Sequence, residues 1–155
     1  MNKTVLHAAL LIALGVALGV TANLVSPRRI PWVYQAEQAI GSDAVRAVDL
    51  PEAKRLFDQG AAVFVDARPA REFDAGHIRG AVSLPEGEID ARLPEFEKKV
   101  PLDRPVVTYC SGTECNASAV LGDRLADAGY LTVYVFFGGW PEWTKARYPT
   151  GGAWN

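Results

Sequence analysis

The sequence predicts an α/β fold, a parallel sheet covered by helices on both faces and preceded by one N-terminal hydrophobic helix. Three observations carry this. Short apolar runs at 62–65, 105–110 and 132–136 ("AVFV", "PVVTYC", "TVYVF") are rich in β-branched and aromatic residues and lack alternation, which suits strands buried on both faces. Helical patterns with short connections separate them, and a strand that reaches its neighbour through a helix pairs parallel to it. Ahead of all this, residues 5–25 contain no charged side chain.

That first segment, "VLHAALLIALGVALGVTANLV", is apolar on every face. At about 1.5 Å per residue it approaches the roughly 30 Å of a bilayer's hydrocarbon core. It reads as a single-pass membrane anchor, with a signal peptide cleaved after Val20-Thr21-Ala22 as the alternative. Lys3 on one side and Arg28 and Arg29 on the other bias orientation little; the short N-terminal tail favours a domain on the exported side. Residues 26–43 form a linker, because Pro27 and Pro31 oppose a helix and Trp32 and Tyr34 suit a membrane interface.

The globular part spans 44–149, with 150–155 as a tail. "VRAV" at 45–48 is a short strand. Asp49 caps a helix over 50–59, Glu52 completes a capping box, and Gly60 stops it. Ala53, Leu56 and Phe57 form that helix's apolar face. After the strand at 62–65, Pro69 opens a short helix that ends near Gly76. "AVSLP" at 81–85 is a further strand. Residues 86–100 read as helix in two pieces, broken near Pro94. Residues 116–128 repeat apolar positions at three-to-four spacing and end at Gly129. "GGW" is a turn before a last helix at 141–147.

Composition narrows the function classes. With 155 residues and 49% hydrophobic content, the chain can bury a sizeable core. Its 16 basic and 18 acidic residues leave no basic excess with which to neutralise phosphates, so nucleic acid is not an expected partner. Two cysteines, Cys110 and Cys115, are too few for a disulfide-built scaffold. His77 without partners makes no metal site, and no cofactor is implied.

Both cysteines lie in one polar loop, "CSGTEC", between a strand and a helix. In parallel sheets, sites form outside the carboxyl ends of the strands. Three features are expected to favour a thiolate at Cys110: the following helix N-terminus, a nest of N–H groups around Gly112, and the hydroxyls of Ser111, Thr113 and Ser118.

Four pieces in order resemble a single-domain rhodanese across 44–149. They are the Asp66-x-Arg68 turn after a strand, "GHIRGA" at 76–81, the Tyr109-Cys110 loop, and "GGWPEW" at 138–143. The resemblance implies a five-stranded parallel sheet and a catalytic cysteine at Cys110. That cysteine would take a sulfane sulfur as a persulfide from a small sulfur donor and pass it to a thiol acceptor or acceptor protein. The loop residues Ser111, Gly112, Thr113, Glu114 and Cys115 would contact the substrate, with Asp66 and Arg68 supporting them. The chain departs from the pattern at the sixth loop residue, where many relatives have an arginine and this one has Cys115. The loop then offers no cation, so thiosulfate need not be the donor. Cys115 either resolves a Cys110 persulfide, releasing sulfide and leaving a Cys110–Cys115 disulfide, or packs the start of the helix. A thiol–disulfide redox protein using the same pair, and a non-catalytic binding module, are the competing readings.

Overall fold

A computed structural model describes residues 3–25 and 44–152; the linker expected over 26–43, with Arg28, Arg29, Trp32 and Tyr34, lies outside the described residues. The chain divides into two compact units, one holding the N-terminal helix and the other the sheet.

The N-terminal unit contains α1 (Lys3–Val25). Its stretch Thr4–Ala22 has a mean hydropathy of 2.2, long and apolar enough to cross a membrane, and a signal sequence has the same character. The apolar side chains are exposed all round, Leu11 at 70% and Ile12 at 68%.

The second unit runs β1 (Val45–Val48), α2 (Leu50–Asp58), β2 (Val63–Asp66), α3 (Ala70–Ala75), β3 (His77–Ile78) and β4 (Val82–Ser83). A 3-10 turn at Glu86–Glu88 leads into α4 (Ile89–Lys99), then β5 (Val106–Tyr109), α5 (Ala117–Asp127), β6 (Val133–Phe136), α6 (Gly139–Lys145) and β7 (Thr150–Gly151). Five strands form one parallel sheet, as expected, and their order is β1-β6-β5-β2-β4. The central strand is β5, whose Tyr109 lies opposite Asp66 on one side and Phe136 on the other.

Because successive side chains point to opposite faces, β5 feeds two cores. Val106 joins Val65, Leu121, Leu125 and Val133 beneath α4 and α5. Val107 and Tyr109 join Phe64, Leu56, Phe136 and Trp143 beneath α2 and α6. Thr108, also fully buried, satisfies its hydroxyl by donating to the Ser118 carbonyl at 2.8 Å. The cap of α2 forms as expected, with Asp49 accepting from the Glu52 N–H at 3.0 Å.

Three places differ from the sequence reading. The break expected near Pro94 falls earlier, between the 3-10 turn and α4, and Pro94 sits inside a continuous α4. Ile89 and Phe96 are buried on either side of it, and that packing holds the helix together across the missing N–H. The helix expected from 141 begins at Gly139 and absorbs the "GGW" turn. Finally, β3 and β7 pair antiparallel, so residues 150–151 of the expected tail belong to a small second sheet. His77 is the first residue of β3, and its Nδ1–H donates to the Phe73 carbonyl at 2.9 Å. A Cβ at Gly151 would stand 2.7 Å from His77 Nε2, so the strand passes the ring only as glycine.

The turn after β2 holds the most heavily connected ion pair among the described residues. Asp66 is fully buried, and Arg68 is 4% exposed. Arg68 Nη2 lies 2.6 Å from Asp66 Oδ2 and its Nε 3.0 Å from Oδ1, while the Arg68 backbone N–H donates to the same carboxylate at 2.9 Å. Nη2 also donates to the Gly76 carbonyl at 2.7 Å, and the guanidinium lies 4.9 Å from the centre of the Trp140 ring. Burial disfavours the guanidinium charge, but Asp66 outweighs it and raises the Arg68 pKa further. Tyr109 closes the network. Its hydroxyl accepts the Ile78 N–H at 3.1 Å, and burial together with the neighbouring Asp66 pushes its pKa up.

Removing one partner leaves a buried charge without compensation. Asp66→Ala is therefore expected to lower folding stability by roughly 3–5 kcal/mol, measured by urea titration. A loss below about 1 kcal/mol, the range of an exposed pair, would show that Arg68 finds other compensation.

Candidate active site

The polar loop leaves the carboxyl end of β5 and enters α5. It turns through Gly112, which has φ +122°, and closes with the Cys115 N–H donating to the Gly112 carbonyl at 3.0 Å. A second segment braces it from outside. The Trp140 N–H donates to the Cys110 carbonyl at 2.9 Å. Gly139, at φ +55°, passes so close that an added Cβ would stand 2.3 Å from that carbonyl oxygen. The "GGW" motif is thus the buttress of the loop.

A cavity of about 530 Å³ opens beside the loop. Its walls are residues 67–70 after β2, 85–88 after β4, and Ser111, Cys115 and Ala117 from the loop. All three segments follow strand ends on the same edge of the sheet, which is where a parallel fold collects its ligand-contacting loops. Of the residues expected to contact substrate, Ser111 and Cys115 line this cavity; Gly112, Thr113 and Glu114 do not. Arg68 forms part of the wall, whereas Asp66 stands behind it. Glu86 and Glu88, absent from the sequence-derived set, supply an acidic rim. Their only advance signal was position, just after a strand that ends on the same edge.

The two thiols have different surroundings. Cys110 is fully buried. Its Sγ donates to the Cys115 carbonyl at 3.1 Å and lies 3.7 Å from the Gly112 carbonyl, while the Ser118 hydroxyl donates to it at 3.6 Å. Burial, and next the neighbouring Cys115 side chain, push the Cys110 thiol up to about 11, against the pull of the Ser118 hydroxyl and N–H. Cys115 is half-buried. Burial opposes its charge too. The neighbouring Cys110 side chain, the backbone N–H groups of Ser111 and Ala117 and the Ser111 hydroxyl outweigh burial, and hold Cys115 below the ordinary thiol value.

This corrects the expectation of a thiolate at Cys110. The loop's N–H groups and the first N–H of α5, which has no partner within the helix, converge one turn later than the sequence suggested. Those of Ser111 and Ala117 support Cys115, while Cys110 meets the carbonyls of Gly112 and Cys115 as well as the N–H and hydroxyl of Ser118. Both cysteines are free thiols.

The model of the family described as "Rhodanese-like domain" matches residues 49–146. Across 103 residues the chain is 35% identical to the HTH-type transcriptional regulator Rv0324 of Mycobacterium tuberculosis, an alignment covering 66% of this chain and 43% of that one. It is 36% identical over 98 residues to the thiosulfate sulfurtransferase GlpE of Pseudomonas savastanoi, covering 63% of this chain and 85% of the relative. Among solved structures, the human single-domain sulfurtransferase TSTD1 superposes with a TM-score of 0.56 at 26% identity, over 64% of this chain and 95% of that one.

The buttress generates a prediction. Gly139→Ala places a methyl against the Cys110 carbonyl at a left-handed φ, and is expected to cost roughly 1–3 kcal/mol. Thermal unfolding measures that cost. Iodoacetamide labelling of the two cysteines measures the accompanying shift of the loop, and unchanged labelling rates would show that the loop does not lean on this segment.

Proposed function

The chain belongs to the rhodanese-like domain family, and we propose that it is a sulfurtransferase which carries a sulfane sulfur as a persulfide on Cys110 and delivers it to a thiophilic acceptor. The observation that carries this reading is a loop with two free thiols at the end of the central strand, opening on a 530 Å³ cavity. On loading, the donor's bond to its outer sulfur breaks, that sulfur bonds Cys110, and the carrier leaves with the electron pair. On delivery the acceptor attacks the same sulfur and Cys110 is restored.

The cavity's charge speaks to the donor. Thiosulfate, the substrate in the name of the GlpE relative, is a dianion. Here the cation in the wall, Arg68, is already bound to Asp66, and Glu86 and Glu88 stand at the rim. Pro69, Ala70 and Pro85 add apolar surface. A dianion gains little from such a site. The donor class that fits is a sulfane carrier of low negative charge, such as an organic persulfide. The acceptor is a small thiol or a protein thiol.

A second reading, a thiol–disulfide redox protein, is favoured by one observation, two free thiols in a single loop with the Cys110 Sγ 3.1 Å from the Cys115 carbonyl. A loop disulfide that forms and is reduced without any sulfur uptake would establish it.

The sulfurtransferase reading is tested by loading the protein with sulfur, removing the donor, and adding cyanide. Mass mapping of the loaded wild type is expected to find the retained sulfur on Cys110, and the double variant Cys110→Ser with Cys115→Ser is expected to deliver at least about a hundredfold less sulfur, because a hydroxyl is a far weaker nucleophile at neutral pH. Delivery at the wild-type level would overturn the reading.

We further propose that α1 stays attached and anchors the domain to a membrane, with the domain on the exported side. Full-length protein should remain with membranes through a high-salt wash, since an apolar span is not held by charge. A soluble mature chain beginning at Asn23 would overturn the anchor. A C-terminal reporter that is active only in the cytoplasm would overturn the orientation.

A further inference from the structure

The geometry points to Cys115 as the entry thiol: it meets the donor in the cavity, takes the sulfane sulfur, and passes it to Cys110 behind it. This rests on the sulfurtransferase reading and adds a step to it. Three observations carry the inference. Cys115 lines the cavity, and Cys110 has no exposed surface from which to attack a donor. The loop's inward N–H groups, from Ser111 and Ala117, and the Ser111 hydroxyl are aimed at Cys115, so the charge of an attacking thiolate is supported there. The Cys110 Sγ lies 3.1 Å from the Cys115 carbonyl oxygen, so the turn seats the two cysteines against each other.

The first step joins the Cys115 thiolate to the outer sulfur of a persulfide, R–S–SH. The donor's S–S bond breaks, and the carrier leaves as the thiol RSH, taking the persulfide proton. Cys115 now holds the outer sulfur as a persulfide anion. In the second step the Cys110 sulfur attacks that outer sulfur. The bond to Cys115 breaks, and the Cys115 sulfur keeps the electron pair and receives the Cys110 proton. Cys110 ends as the persulfide anion and Cys115 as a thiol. Neither step has net oxidation, and no further reactant is consumed.

The direction of the relay follows from leaving-group chemistry. A more acidic thiol leaves faster, and sulfane sulfur settles on the more basic one. Burial has pushed Cys110 up to about 11, and the loop donors hold Cys115 down. Sulfur therefore runs inward, from an accessible site with a good leaving group to a sheltered one with a poor one. The added S–S bond, about 2.05 Å long, extends the Cys110 sulfur outward for the acceptor.

The test is a rapid-quench experiment on the full-length chain in detergent, with cysteine persulfide as the donor and mass mapping of both cysteines. In wild type, sulfur is expected on Cys115 first and on Cys110 later. Cys115→Ser should load Cys110 roughly tenfold more slowly or worse at neutral pH, since the remaining thiol is buried and protonated. A melting curve establishes that this variant is folded. Iodoacetamide on the unmodified wild type supplies a measurement that needs no variant, and is expected to label Cys115 before Cys110. Loading of Cys110 at the same rate in wild type and Cys115→Ser, or first labelling at Cys110, overturns the relay and leaves the sulfurtransferase reading standing. A wild type that takes up no sulfur overturns both.

Discussion

The buried pair of Asp66 and Arg68 is the constraint on which the site depends. One carboxylate at the end of β2 receives the guanidinium and a backbone N–H, and lies beside Tyr109, whose hydroxyl accepts the Ile78 N–H. One guanidinium in turn reaches the Gly76 carbonyl and the face of Trp140. Four segments are drawn together: the end of β2, the end of β5 just before Cys110, the start of the small second sheet, and the first turn of α6. The last of these carries the amide that holds the Cys110 carbonyl. A buried pair costs desolvation, and it adds little stability over an apolar replacement. Its return here is geometric, since a planar fork satisfied on every side fixes the direction of each chain it touches.

The same pairing decides what the cavity can bind. Arg68 belongs to the wall, yet its charge is committed to Asp66. The wall is therefore electrically quiet on that side, and the rim glutamates set its sign. An arginine at the sixth loop position would have reversed this. With Cys115 there, the loop's backbone donors have a thiol sulfur within reach and no guanidinium to share an anion with.

Much of this was legible in the sequence. The three apolar runs, the capped α2 and the periodic α5 are signals of hydrophobic period and turn chemistry, and each became the expected element. The loop's location followed from topology alone, because a strand that feeds a helix must deliver its last residue to the sheet edge. The direction of the two sulfurs was not legible. It depends on the φ of Gly112 and on where Trp140 grips the backbone, neither of which leaves a periodic trace. The pairing of β3 with β7 was hidden for a related reason. Two residues cannot display a period, and the contact that selects Gly151 is a histidine ring some seventy residues earlier in the chain. At Pro94, local propensity gave way to burial on both sides of it.

A loop with one cysteine must give it two opposed properties, since the thiol has to be acidic enough to attack and basic enough to hold what it has taken. Nucleophilicity and leaving ability pull the same pKa in different directions. Two cysteines five positions apart on one turn can divide the task. The outer one is exposed to the cavity and surrounded by donors. The inner one is buried, with its S–H turned toward carbonyls. The difference between them comes from burial and from where the backbone amides of Ser111 and Ala117 point, and it requires no cation. That is a physical reason for a chain to set its two thiols in one loop and to dispense with an arginine there: the second sulfur supplies, in the loop's own turn, the gradient that a charged clamp does not.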